Sequence, residues 1–91
     1  MHAILISVSI EPDHAEEAQD QLNNVVVPRV KQTRGVVAGY WFEPTEGHGS
    51  SVVLFENEAA AREAAAQIPN VPRPDFVRFD SIEVREVVAQ F

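Results

Sequence analysis

The stretch Gly35-Val36-Val37-Ala38-Gly39-Tyr40-Trp41-Phe42 and its continuation Ser51-Val52-Val53-Leu54-Phe55-Glu56 decide the fold of this chain. Val36 to Phe42 is apolar at every position, the pattern of a strand covered on both faces. Pro44–Gly49 supplies Pro, Thr, Glu, Gly, His and Gly, the residue types of a hairpin loop. Ser51–Glu56 is then the returning strand, and the middle of the chain reads as two adjacent antiparallel strands.

Outward from this hairpin, each flank reads as a helix and then a strand. On the carboxyl side, Asn57 is a good N-cap for a helix from Glu58 to about Ile68, halted by Pro69. Its Ala61, Ala64, Ala65 and Ile68 share one face, so its backbone can lie close to a sheet. Pro69, Pro72 and Pro74 make a stiff extended connection. Ile82, Val84 and Val88 then alternate with Glu83, Arg85 and Val87 as a last strand.

On the amino side, Ala15, Ala18, Leu22, Val25, Val26 and Val30 recur at helical spacing and end before Gly35, a natural residue for closing a helix. Asp13 and Glu16 form a capping-box-like start, and Glu16 and Glu17 suit the positive end of the helix dipole. Pro28 removes one backbone bond and predicts a kink around Asn24–Pro28. The β-branched run Ala3–Ile10 is a strand stopped by Glu11-Pro12. The order β-α-β-β-α-β is the ferredoxin-like motif. The expected class is α+β, a four-stranded antiparallel sheet with two helices on one face, in a single domain over residues 1–91.

Composition narrows the partners. The chain has 91 residues, no cysteine and a formal charge of −7 from 14 acidic and 7 basic side chains. Disulfides and thiolate metal sites are impossible, and the charge has the wrong sign for a phosphate backbone, so no nucleic acid partner is expected. No apolar run approaches the roughly 20 residues needed to span a bilayer. Met1-His2-Ala3-Ile4-Leu5 lacks a basic signal region, so the expectation is a cytoplasmic protein without a membrane partner.

Two helices cover only one sheet face, yet both faces are apolar. Val36, Ala38, Tyr40 and Phe42 are expected to point one way, and Val37, Gly39 and Trp41 the other. An uncovered face of that size favours self-association at ~25 cal/mol per Å² of apolar burial, most simply as a two-fold homodimer.

The motif Gly35-Val36-Val37-Ala38-Gly39-Tyr40-Trp41, with Ser51-Val52-Val53-Leu54-Phe55-Glu56-Asn57-Glu58-Ala59-Ala60, resembles the antibiotic biosynthesis monooxygenase-like group of dimeric α/β-barrel proteins. The resemblance spans nearly the whole chain. It implies the fold and the homodimer, and an enzyme of that kind would be a cofactor-independent monooxygenase acting on an aromatic polyketide-like or quinol substrate. The same group contains haem-degrading enzymes that rely on an Asn, a Trp and a His. Here Ser7 and Ser9 stand where the Asn is expected, and the second helix has neither Trp nor His.

Four residues are candidates for chemistry. Tyr40 or Trp41 would wall a pocket and stack on an aromatic ligand; alternatively one packs on the helices and the other in the dimer interface. His48, between two glycines of the hairpin loop, could act as acid or base near neutral pH, or be a solvated loop residue. Arg85 could bind a carboxylate or oxyanion, although Glu83 and Glu86 beside it favour a surface ion pair. A serine triad from Ser7 or Ser9 would need His48 to fold back onto them. No HxH or HxxxH spacing supports a metal, and no cofactor is expected.

Three functions follow: a non-catalytic binder of a small apolar or aromatic molecule, a cofactor-independent monooxygenase, and a dimeric interaction module. The first two differ by whether a pocket of ~300 Å³ or more with converging polar groups exists between sheet and helices, and the third predicts a filled core and a second exposed apolar patch.

Overall fold

The computed structural model describes residues 1–91. Four strands, β1 (His2–Ile10), β2 (Val36–Trp41), β3 (His48–Phe55) and β4 (Val77–Glu86), form one sheet in the order β2-β3-β1-β4, with every neighbouring pair antiparallel. Two helical segments connect β1 to β2 and β3 to β4, giving the ferredoxin-like βαββαβ topology expected from the sequence.

The first helical segment opens with a 3₁₀ turn at Pro12–His14 and continues as α1 (Ala15–Gln21), a π turn at Leu22–Val26, and α2 (Val27–Lys31). Asp13 lies inside the opening turn and its side chain makes no cap, so the expected capping box is not formed. Pro12 starts that turn because a missing N–H costs nothing at a helix beginning. Pro28 does not end the helix either. Val27 donates its N–H to the Leu22 carbonyl, five residues back. This wider turn absorbs the register disturbed by the proline, and the chain continues as helix. Gly35 closes the segment at φ +82°, a left-handed conformation that suits glycine. A Cβ there would stand 2.8 Å from the Ala60 Cβ, so glycine also permits the close approach to the second helix.

The second helix, α3 (Glu58–Gln67), is capped by Asn57, whose Oδ1 accepts the Ala60 N–H at 2.9 Å. A 3₁₀ turn at Ile68–Asn70 follows. Alanines let α3 lie on the sheet, and Ala61 is fully buried. With Ile4, Val53 and Phe55 it forms the core, in which Phe55 and Ile4 are the largest side chains wholly removed from water. Burying each contributes about 1.5–3 kcal/mol.

Three expectations on strand geometry are corrected. The pairing of β2 with β3 slips between Val36 and Ala38, so Val36 joins Gly39 and Trp41 on the helix side instead of Tyr40 on the other. The last strand starts at Val77 rather than near Ile82, and Val88, 89% exposed, lies beyond its end. His48 belongs to β3, paired with Ser9, and not to the hairpin loop. No helix is long and apolar enough to cross a membrane.

Candidate functional site

Alternation along β1 sends Ile4, Ile6 and Val8 toward the helices. The first helical segment touches the sheet chiefly where α2 meets β2, while α3 lies along β1, β3 and β4. Between the first helix and the sheet remains an open cleft of about 840 Å³. A short chain buries too little surface to support a large closed cavity, and this space is accordingly open to solvent. Its floor is Ile4, Ile6, Val8 and Ser51, and Ala18, Leu22 and Val26 line it from the first helix.

Trp41 is the candidate residue that lines the cleft. Its ring lies across Gly39, where an added Cβ would come within 2.8 Å of Trp41 Cζ3. Any side chain at 39 would displace the indole, so this glycine sets the position of the ring.

Tyr40, His48 and Arg85 do not line the cleft. Tyr40 is 56% exposed on the sheet face opposite the helices, across from Val52. Leu5, Val52 and Leu54 share that open face by register. Arg85 Nη2 donates to Glu83 Oε1 at 3.2 Å, the ion pair anticipated as an alternative.

His48 lies in a polar cluster that spans three strands. On β4, Ser81 pairs with Ser7 and Phe79 with Val8, so Asp80 is bulged out between them. Ser9 Oγ donates to Asp80 Oδ2 at 2.6 Å and stands 3.3 Å from His48 Nδ1. Arg78 Nε donates to Asp80 Oδ1 at 3.2 Å. The Ser9 hydroxyl bond, followed by the Arg78 guanidinium, holds the Asp80 carboxyl below its usual range. Serine, histidine and aspartate meet here, but without a triad's relay. The serine proton is engaged by Asp80, and the imidazole offers the same Nδ1 to Ser9 and, at 3.8 Å, to Asp80.

Sequence reading missed one further group. Arg73, in the proline-rich connection, lines the cleft, donates from Nε to the Val77 carbonyl at 3.0 Å, and lies 5.2 Å from the centroid of the Phe79 ring. The Arg–x₅–Phe spacing across an extended segment was the available signal, and it is a weak one. No cluster of three or more His, Cys, Asp or Glu side chains suited to a metal is present.

No family model and no curated protein matches this chain. Among solved structures, the haem-degrading protein MhuD of Mycobacterium tuberculosis superimposes with a TM-score of 0.75 at 15% identity, covering 100% of this chain and 99% of MhuD. A Nitrosomonas europaea protein of unknown function gives 0.70 at 19%, covering 99% and 91%. A Deinococcus radiodurans protein assigned as an antibiotic biosynthesis monooxygenase gives 0.70 at 16%, covering 100% and 96%. At such identities the likeness is one of fold.

Proposed function

We propose that this protein works as a homodimer that holds a small apolar or aromatic molecule in the cleft between sheet and helices. The observation that carries the reading is the cleft itself, about 840 Å³, with Ile4, Ile6 and Val8 making its floor largely apolar and Trp41 walling it. It falls in the range of small-molecule sites. An interaction module would need this space filled, so that alternative is less well supported. The dimer is proposed through the open face around Leu5, Val52, Leu54 and Tyr40. A similar fold, from an uncultured marine organism, is described as a dimeric ferredoxin-like protein and supports this assembly.

Haem, bound by MhuD, does not suit the cleft of this chain. An iron porphyrin needs an axial His, Cys, Met or Tyr, and none of these residue types lines the space. The monooxygenase assignment of the Deinococcus protein supports a second reading, oxidation of an aromatic polyketide-like or quinol substrate in the same cleft. Cofactor-free oxygenation would require an anionic substrate stabilised away from water. His48 and Arg85 face elsewhere, so this chemistry would have to draw on other polar groups.

Trp41 is the single tryptophan and therefore reports on the cleft directly. Titration with N-phenyl-1-naphthylamine, a neutral probe that fluoresces in apolar sites, should quench Trp41 by energy transfer and saturate. Linear, non-saturating quenching by this probe and by acidic aromatic probes alike would rule out the binding reading. Oxygen uptake with anthrone-like and hydroquinone substrates separates the enzyme from the binder.

A further inference from the structure

The six arginines divide according to the cleft. Arg62, Arg78 and Arg85 lie outside it, and each is paired with a carboxylate: Glu58 at 2.8 Å, Asp80 at 3.2 Å and Glu83 at 3.2 Å. Arg29, Arg34 and Arg73 line the cleft, and none of them takes part in an ion pair. In a chain with 14 acidic and 7 basic side chains, carboxylates are plentiful. The three arginines left without one are exposed, and all three border the same space.

The two ends of the cleft are not equivalent. Arg34 is next to Gly35, whose carbonyl accepts the Glu56 N–H at 2.9 Å. Glu56 and Glu63, the acidic residues that line the cleft, belong to that corner, where Gly35 meets α3. Arg73 belongs to the opposite end, where Val8 pairs with Phe79 and Ile10 with Val77. No carboxylate lines the cleft there. The guanidinium is held in place by two contacts, Nε on the Val77 carbonyl and Cζ over the Phe79 ring. Both terminal nitrogens are left to form a planar fork.

We propose that Arg73 is an anion-recognition residue and that the cleft takes an apolar or aromatic molecule bearing a carboxylate, seated with its acid group on the Arg73 fork. This rests on the ligand-binding reading above and specifies its chemistry. A carboxylate entering an apolar cleft of a protein of charge −7 is disfavoured by desolvation and by the overall field. A pinned, unpaired guanidinium offsets both, and a bidentate pair also fixes which end of the ligand enters first.

The test uses two probes of nearly the same shape, 8-anilino-1-naphthalenesulfonate, which is anionic, and neutral N-phenyl-1-naphthylamine. Each is titrated against the native chain, Arg73→Gln, Arg73→Lys, and Arg62→Gln as an equal change of charge outside the cleft. Arg73→Gln should weaken the anionic probe about tenfold, the usual scale for one charged hydrogen-bonded pair, and leave the neutral probe unchanged. Arg73→Lys should fall between, because it keeps the charge and loses the fork, and Arg62→Gln should match the native chain. 2-Naphthoate should displace the anionic probe far better than 2-naphthylmethanol does. Equal weakening of both probes in Arg73→Gln would mean that Arg73 merely walls the cleft and would overturn the proposal. So would an unchanged affinity for the anionic probe, or the same loss in Arg62→Gln. Failure of the native chain to bind either probe would instead overturn the ligand-binding reading.

Discussion

The two faces of the sheet are built from alternate residues of the same strands, and they end in different states. On the helix side, Ile4, Val53 and Phe55 are buried against Ala61, and the space left over is a cleft under the first helix. On the open side, no helix packs over the apolar residues Leu5, Val52, Leu54 and Tyr40; the first three are half-buried among their strand neighbours and Tyr40 is exposed. The polar cluster of Ser9, His48, Arg78 and Asp80 lies toward one end of the sheet. The difference follows from the helices. An alanine-rich helix can lie flat on a sheet, whereas the first helix carries leucine and valine and stays close only at its carboxyl end. Hydrophobicity alone does not distinguish core, cleft and open face; what covers each face does.

The sharpest way to break this comparison is to empty the helix side. Phe55→Ala should cost about 3–5 kcal/mol, a large share of the stability of a domain this size, read as a lower urea midpoint. A loss no greater than that of Tyr40→Ala would mean that the helix side of the sheet is not the core.

The open face is tested next. Tyr40→Asp should weaken the proposed dimer by about 2 kcal/mol or more, since a charge would be buried at the interface. Sedimentation velocity should then report the 10.1 kDa chain, where the native protein should sediment as twice that mass. Circular dichroism should be unchanged. A native protein that is monomeric at micromolar concentration would contradict the role given to this face.

The smallest effect concerns the polar cluster. Asp80 has its folded pKa lowered, chiefly by the Ser9 hydroxyl bond. Its contribution to stability is therefore full above the ordinary aspartate value and is lost as pH falls through the lowered one. Asp80→Asn should be slightly less stable than the native chain near neutrality, and the gap should close in the acid range. Urea midpoints across that range measure it, and a gap independent of pH would show that the carboxylate charge is not what Ser9 and Arg78 stabilise.

Much of the fold is legible in the sequence. The Asn57 cap, the Gly35 stop, the alanine face of α3 and the order of elements are local properties, readable from spacing and side-chain chemistry within a few residues. The site was legible only in part. Trp41 stood out as the single tryptophan on a strand, but its neighbour Tyr40 was an equal candidate, and Arg73 was hidden in a proline-rich connection.

The sequence by itself determined the ferredoxin-like topology and the apolar character of both sheet faces, because strand alternation, helical period and capping act over short distances. Tertiary structure alone decided which face each residue joins. One slipped residue in β2 carries Val36 to the side of Trp41, and one bulged residue in β4 brings Asp80 onto Ser9, 71 positions away. It also decided that the first helix leaves a cleft and that Arg73 borders it without an acidic partner. These outcomes depend on register and on the distance between packed elements, and neither is written in the spacing of residues along the chain.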